Sequence, residues 1–178
     1  RMLNLRPGDT VFDLGCGTGL NFPWLTEAVG ADGLVIGLDR SPDMLAMATR
    51  RIQTQGYPNV RLIEADATDF DPDEIRRLAG GPLDAVFASY ALSVVGDWHP
   101  AWERMSATLR PGGSAAIVDM SLPTGRAAVF GPVARLVCAI GGADLAAHPW
   151  RVLERSGTNV RHRILSGGHI HAVAALLP

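Results

Sequence analysis

The chain has 178 residues, which is the length of one domain with a sizeable core. It is 47% hydrophobic with a formal net charge of −2, so it is not an intrinsically disordered chain and has no basic stripe for nucleic acid. Its sixteen basic residues are all arginine, which excludes a Schiff-base lysine and a Walker-type phosphate lysine. The two cysteines suggest no disulfide framework, so we expect a reducing, cytoplasmic location.

Strand-like and helical patterns alternate along the chain, which predicts a parallel α/β sheet. The predicted strands are 10–14, 34–39, 60–65, 83–89 and 113–120. The predicted helices between them are 22–30, 41–55, 73–80 and 99–109. The C-terminal part predicts helices at 127–140 and 148–156, and then a hairpin of 160–165 and 169–177 around a Ser-Gly-Gly turn.

The most informative stretch, residues 11–21, reads V-F-D-L-G-C-G-T-G-L-N. Gly15, Gly17 and Gly19 follow a short buried strand, where glycines allow positive φ and a close approach of the backbone to a ligand. Asp13, at the end of that strand, can accept hydrogen bonds from a polar ligand group. A dinucleotide fingerprint needs its third glycine five residues after the first, and Leu20 occupies that position.

The second predicted strand ends in Asp39, about twenty residues after the glycine loop. A carboxylate there can accept both ribose hydroxyls of an adenosine, and we assign the adjacent Arg40 to the same ligand. Nicotinamide-binding folds use the same acid, so Asp39 alone does not identify the cofactor. Its alternative role is to cap the following helix.

The D-x-G-x-G-x-G pattern resembles the first motif of class I S-adenosylmethionine-dependent methyltransferases. Residues 109–113, L-R-P-G-G, resemble the fifth-strand motif of that family. The resemblance implies a Rossmann-like, doubly wound, seven-stranded sheet that is mostly parallel with an antiparallel C-terminal strand. It also implies S-adenosylmethionine as cofactor and one domain over residues 1–178. The abrupt start of the chain suggests to us that an N-terminal segment is missing.

The resemblance assigns further cofactor contacts to the ends of the third and fourth strands. It places Asp66 against the adenine amino group and the backbone amide of Ala67 against the ring. Alternatively, Asp66 opens a turn toward Asp69. Ser89 ends the fourth strand, which lies beside the first, so it is expected near the reactive methyl group.

Methyl transfer is an in-line displacement that requires positioning and exclusion of water more than acid–base groups. Tyr90 is the first catalytic candidate, because it can shape the methyl pocket or bind the nucleophile; alternatively it packs beneath a helix. His169 is the second, because His169 and His171 are two apart on a predicted strand and so share one face near the substrate mouth. A metal site would need a third ligand, so none is expected.

The methyl acceptor is less clearly indicated. Residues 89–98 resemble bacterial methyltransferases that act on amino headgroups of lipids. The apolar, glycine-broken residues 121–147 suit a substrate-covering insertion, but equally a core helix or a dimer face. We expect a small or lipid-like acceptor, with peripheral membrane contact and a homodimer left open. The alternatives are O- or C-methylation of a quinone- or polyketide-like compound, and a domain that binds the cofactor without catalysis.

Overall fold

The computed structural model describes residues 2–140 and 142–178, which form one sheet flanked by helices. In chain order, the strands are β1 (Thr10–Leu14), β2 (Leu34–Asp39), β3 (Val60–Glu64), β4 (Leu83–Ser89), β5 (Leu109–Met120), β6 (Thr158–Leu165) and β7 (Ile170–Leu176). The helices are α1 (Phe22–Val29), α2 (Pro42–Gln55), α3 (Pro72–Ala79), α4 (His99–Ala107), α5 (Gly131–Ile140) and α6 (Arg151–Ser156).

The helix ends follow from local chemistry, as α2 illustrates. Ser41 is its N-cap and accepts a hydrogen bond from the backbone nitrogen of Met44, while Pro42 occupies the first turn. The helix ends at Gly56, whose φ of 69° is left-handed, a conformation that glycine adopts without steric cost. The turn at Ser41 and Pro42 fixes where α2 begins relative to the end of β2, and therefore positions Asp39.

The strand order is β3-β2-β1-β4-β5-β7-β6. Strands β1 to β5 are parallel to their neighbours, whereas β7 is antiparallel to both β5 and β6. This arrangement confirms the predicted doubly wound sheet with its antiparallel C-terminal strand. The order reverses between β1 and β4, and ligands of such sheets bind at the carboxyl ends of the strands beside that reversal.

Apolar residues on both faces of the sheet form two cores. Phe12, Ile36 and Ile117 are fully buried on one face, and Val11 and Val35 are fully buried on the other. Neighbouring residues of β1 and β2 therefore point to opposite faces, and both faces are covered. None of the described helices is long and apolar enough to cross a membrane.

Two predicted boundaries differ most from the structure, by four residues each. Strand β5 begins at Leu109 instead of residue 113, because the register with β4 shifts after Leu109 and the Pro-Gly-Gly segment forms an irregularity inside the strand. The helix expected over 127–140 begins at Gly131, after a 3₁₀ turn over Gly125–Phe130. Pro132 fits the first turn of α5, since proline is tolerated there but not inside a helix.

Candidate active site

A cavity of about 900 Å³ opens at the carboxyl ends of β1, β2 and β4. Its polar wall includes Asp39, Arg40 and Asp66, and its other side carries apolar residues. The apolar residues that line it and are also exposed are Leu20, Met44 and Val94. The lining of the cavity is therefore mostly apolar with a few polar side chains, at the position where the strand order predicts a ligand.

The three loop glycines all have positive φ but play different parts. Gly15, with φ of 68°, packs so closely that an added Cβ would lie 2.5 Å from Cβ of Ala91. Gly17, with φ of 53°, lines the cavity, and an added Cβ would meet nothing within 4 Å. Gly19 does not line the cavity, because it packs over the ring of Phe22. The loop thus exposes its backbone to the cavity chiefly at Gly15 and Gly17.

Asp39 connects the glycine loop to the start of α2. Its Oδ2 accepts a hydrogen bond of 2.8 Å from the backbone nitrogen of Gly17, and its Oδ1 accepts one of 2.9 Å from that of Ser41. Each carboxylate oxygen has a second lone pair, so these bonds leave acceptor sites for a ligand. Asp39 therefore holds the turn before α2, its alternative role, and also lines the cavity.

Asp66 lines the cavity and also forms a turn. Its Oδ1 accepts hydrogen bonds from the backbone nitrogen and the hydroxyl of Thr68, and these bonds lower the pKa of Asp66. Its carbonyl oxygen accepts a hydrogen bond from the nitrogen of Asp69, which is the alternative turn that the sequence allowed. Ala67 lines the cavity beside it. Both readings of Asp66 are compatible with one geometry.

Two arginines that the sequence analysis did not single out hold the loops of the cavity. Nε of Arg51 donates to the carbonyl oxygen of Thr18 in the glycine loop. Arg104 donates to the carbonyl oxygens of Thr68 and Phe70, next to the Asp66 turn. These contacts span 33 to 36 residues of chain, so no local pattern announces them.

Asp13 does not reach the cavity, contrary to the expected ligand contact. It is fully buried, and Nδ2 of Asn21 lies 3.3 Å from its Oδ2. Asn21 itself lines the cavity and stands between Asp13 and the ligand space. Burial raises the pKa of Asp13 to about 7. The strand alternation explains the error, because the side chain of Asp13 points into the interior.

Ser89 and Tyr90 line the cavity at the end of β4. Tyr90 has a φ of 53°, and its backbone nitrogen donates to the carbonyl oxygen of Val118 on β5. Its side chain is 42% exposed, which is inconsistent with packing beneath a helix. Burial and the nearby Asp119 raise the pKa of Tyr90. Its hydroxyl therefore stays protonated at neutral pH and can donate a hydrogen bond.

A buried pair, which the sequence analysis missed, supports the loop after β4. The hydroxyl of Ser93 donates to Oδ1 of Asp119 at 2.6 Å, and its backbone nitrogen donates to Oδ2 at 3.0 Å. Burial raises the pKa of Asp119, opposed by these hydrogen bonds. The carbonyl of Ser93 accepts a hydrogen bond from the nitrogen of Asp144. Asp119, a polar residue near the end of the predicted fifth strand, was the sequence feature that could have indicated this pair.

The expectation that His169 and His171 share a face of one strand is wrong. His169 lies before β7 with helical backbone angles, which interrupt the alternation. Its Nδ1 contacts the carbonyl oxygen of Ser121, and it does not line the cavity. His171 instead stacks on Trp150. Over residues 2–140 and 142–178, no group of three or more histidine, cysteine or acidic side chains is placed to hold a metal.

The residues around the cavity fit S-adenosylmethionine. Gly17 leaves space for a ligand against its backbone, and Asp39 keeps free acceptor sites for hydroxyl groups. Asp66 and Ala67 offer a carboxylate and a backbone amide at the neighbouring strand end. The apolar side of the cavity adjoins Ser89 and Tyr90, so a second molecule has room beside the cofactor.

Comparisons with known proteins identify the family of the chain. A family described as "Methyltransferase domain" matches residues 11–113, more than half of the chain. The demethylmenaquinone methyltransferase of Oceanobacillus iheyensis is 32% identical over 124 residues, 70% of this chain and 50% of that protein. The 2-phytyl-1,4-naphtoquinone methyltransferase of Nostoc sp. is 34% identical over 119 residues, 66% of this chain and 49% of that protein. The chain spans about half the length of these curated relatives.

Solved structures share the fold across almost the whole chain. A methyltransferase from Aquifex aeolicus that depends on S-adenosylmethionine covers 99% of this chain and 86% of its own, with a TM-score of 0.66 and 20% identity. The match with phosphoethanolamine N-methyltransferase 2 of Haemonchus contortus covers 100% of this chain and 50% of that one, with a TM-score of 0.74 and 14% identity.

The chain therefore belongs to the methyltransferase-domain family, in its S-adenosylmethionine-dependent class. S-adenosylmethionine is the cofactor of that class, and the cavity is the candidate site for it. The narrower resemblance of residues 89–98 to amino-headgroup enzymes is not confirmed. The two curated relatives are named for quinone substrates instead.

Proposed function

We propose that this chain transfers the methyl group of S-adenosylmethionine to a ring carbon of an apolar aromatic acceptor of the quinol type. The observation that carries the proposal is the pairing of Tyr90 with the exposed apolar residues Leu20 and Val94 in the cofactor cavity. A flat apolar ring suits that lining, and one polar group next to it suits a ring hydroxyl. The names of the curated relatives support the same class of acceptor.

The chain's contribution to the reaction is positioning. The bound cofactor supplies an electrophilic methyl group on a positively charged sulfur. Asp39 and the glycine loop hold the adenosyl part, while the apolar wall excludes water from the ring. Ionisation of the ring hydroxyl, whose proton goes to solvent, would raise the electron density of the adjacent carbon, and Tyr90 would stabilise the ring oxygen by donating a hydrogen bond. That carbon would form a bond to the methyl group as the carbon–sulfur bond breaks and the neutral thioether leaves with the electron pair. The ring proton would pass to solvent as the product is released.

Residues 121–147 are proposed to cover the acceptor. The nitrogen of Asp144 donates to the carbonyl of Ser93 at 2.7 Å, which ties this segment to the loop that lines the cavity. The buried thiol of Cys138 lies 3.9 Å from the sulfur of Met120 at the end of β5. Val129 and Val133 are exposed, and their apolar surface suits a lipid-like acceptor or the edge of a membrane.

The test is methyl transfer from isotope-labelled S-adenosylmethionine to a matched panel of a naphthoquinol, a simple phenol and an amino-lipid. We expect the naphthoquinol to be labelled on carbon, as mass spectrometry of the product would show. Label on oxygen would show that the chain catalyses O-methylation and not C-methylation. Label in the amino-lipid alone would overturn the proposed acceptor. Calorimetric binding of the cofactor without turnover of any acceptor would favour the non-catalytic alternative.

A further inference from the structure

Two histidines on neighbouring strands form a hydrogen-bonded chain with a glutamate and a backbone carbonyl. Nδ1 of His162 on β6 lies 2.9 Å from Oε1 of Glu154 on α6. Nε2 of His162 lies 2.9 Å from Nδ1 of His171 on β7. Nε2 of His171 lies 3.2 Å from the carbonyl oxygen of Gly168. The chain therefore links α6, both strands of the hairpin and the turn between them.

The acceptors at the two ends determine where the protons lie. A carbonyl oxygen only accepts, so His171 carries its proton on Nε2. Nδ1 of a neutral His171 is then bare and accepts the Nε2 proton of His162. The carboxylate of Glu154 also only accepts, so Nδ1 of His162 must carry a second proton. The chain is complete when Glu154 and His162 together hold one proton more than an ionised carboxylate and a neutral imidazole.

The surroundings keep His171 neutral and hold its ring in place. Burial lowers the pKa of His171, and the nearby His162 and His148 lower it further, although the Gly168 carbonyl and Glu154 oppose them. Trp150 stacks on the His171 ring with centroids 4.2 Å apart and planes 7° apart. The stacking keeps the plane of the His171 ring parallel to that of Trp150.

The other charged groups near the chain act on it less directly. Arg161 and Arg163 flank His162 on β6, so their side chains alternate to the opposite face of the strand. Arg161 donates to Oδ1 of Asn4 on that face. Asp144, before α6, and Arg151, the first residue of α6, act on His148, which in turn lowers the pKa of His171.

The Gly168 end of this chain shares its carbonyl with a clasp on the residues that follow β5. The carbonyl oxygen of Gly168 accepts a second hydrogen bond, of 2.8 Å, from the hydroxyl of Ser121. The nitrogen of Ser121 donates to the carbonyl of His169, and that of Thr124 donates to the carbonyl of Gly167. The turn before β7 thus binds 121–124, where the chain leaves the sheet toward α5.

We propose that Glu154, His162 and His171 form a proton-dependent latch that holds the 166–169 turn against residues 121–124. When His171 gains a proton at acid pH, two N–H groups face each other across the His162 contact, and the clasp loosens. This regulation would apply whatever the methyl acceptor is.

The direct test is hydrogen exchange of the Ser121 and Thr124 amides against pH, corrected for the intrinsic rate of exchange. We expect protection to be greatest where His171 is neutral and to fall as the pH is lowered. ¹⁵N spectra of the imidazoles should show His171 protonated on Nε2 and His162 protonated on both nitrogens. Protection that does not change with pH, or His171 protonated on Nδ1, would overturn the latch.

Two variants separate the latch from ordinary packing. Glu154→Gln keeps the shape but lacks the negative charge that faces Nδ1 of His162, so exchange at neutral pH should speed up. His162→Leu should speed exchange about tenfold at neutral pH, the loss of a hydrogen bond. His99→Asn is the matched control, because His99 makes an exposed 2.9 Å contact with Asp97 elsewhere. Unchanged exchange in both Glu154→Gln and His162→Leu, or a changed profile in His99→Asn, would refute the proposal.

Discussion

The hydroxyl of Ser93 donates a hydrogen bond of 2.6 Å to the carboxylate of Asp119, and both side chains are buried. This contact joins the loop after β4 to the end of β5, 26 residues away. Since the same loop lines the cofactor cavity, the pair links the stability of the sheet to the shape of the site. The carbonyl of Ser93 extends the connection to Asp144.

Ser93→Ala should lower the free energy of unfolding by about 1–3 kcal/mol, because it leaves a buried carboxylate with one fewer donor. Chemical denaturation measures this change. The control is Ser156→Ala, since Ser156 is exposed and donates only to a carbonyl within its own helix. Equal losses in the two variants would mean that burial of the pair adds nothing.

Asp39→Asn should weaken the binding of S-adenosylmethionine by about 1–3 kcal/mol, the scale of a charge-assisted hydrogen bond. The change keeps the shape of the side chain but replaces one of the two oxygens that accept from Gly17 and Ser41 by a donor, so the melting temperature must show that the variant is folded. Calorimetry measures the affinity, with Asp43→Asn in the exposed first turn of α2 as the control. Unchanged affinity in a folded variant would refute the proposed contact with the ribose.

Alanine at Gly15 and at Gly17 should have opposite consequences. Both positions have positive φ, which costs a residue with a Cβ about 1–2 kcal/mol. At Gly15 the new atom also collides with Ala91, so the loss should fall mainly on stability. At Gly17 it enters open space in the cavity wall, so the loss should fall mainly on cofactor affinity. The melting temperature measures the stability of both variants, and calorimetry measures their cofactor affinity. The reverse pattern would contradict the assigned roles.

Asp13 should make the protein less stable as the pH rises. Its pKa is raised from 3.8 to about 7, so the folded state favours the protonated form. The penalty grows from about pH 4 to about pH 7, and is on the order of 4 kcal/mol at about 1.4 kcal/mol per pKa unit. Asp13→Asn should remove this dependence, whereas Asp32→Asn on the exposed surface should not. A wild-type unfolding free energy that is flat across this interval would exclude a buried acid at this position.

Tyr90→Phe should lower kcat about tenfold while leaving cofactor affinity unchanged, because the lost hydroxyl acts on the acceptor. Steady-state kinetics with the naphthoquinol and calorimetry with the cofactor separate the two effects. A parallel loss of cofactor affinity would show instead that Tyr90 mainly shapes the cofactor site.

Local patterns predicted much of this fold but little of its polar interior. The glycine spacing and the acid at the end of β2 were sufficient to place Gly17 and Asp39 at one edge of the sheet. The same reasoning failed for Asp13, because a residue at the end of a strand can point inward as easily as outward. It failed for His169, because one residue of helical backbone before β7 changes which side of the strand the ring occupies.

Longer-range contacts were beyond local patterns. The Ser93–Asp119 pair joins segments whose proximity depends on the order of strands, and so do the contacts of Arg51 and Arg104. Nothing in the spacing of His162 and His171 indicates that Glu154 completes their chain. Such contacts follow from the assembled sheet and cannot be read before it is known.

The position of β7 between β5 and β6 has a consequence for how the protein is made. Strand β6 leaves the ribosome earlier, yet it bonds to no strand but β7 in the described part of the sheet. During synthesis β6 therefore remains unpaired along both edges until β7 has been made, whereas β1 to β5 can already pair. The order of translation and the order of assembly differ here, and the waiting strand is where a nascent chain is most exposed to mispairing.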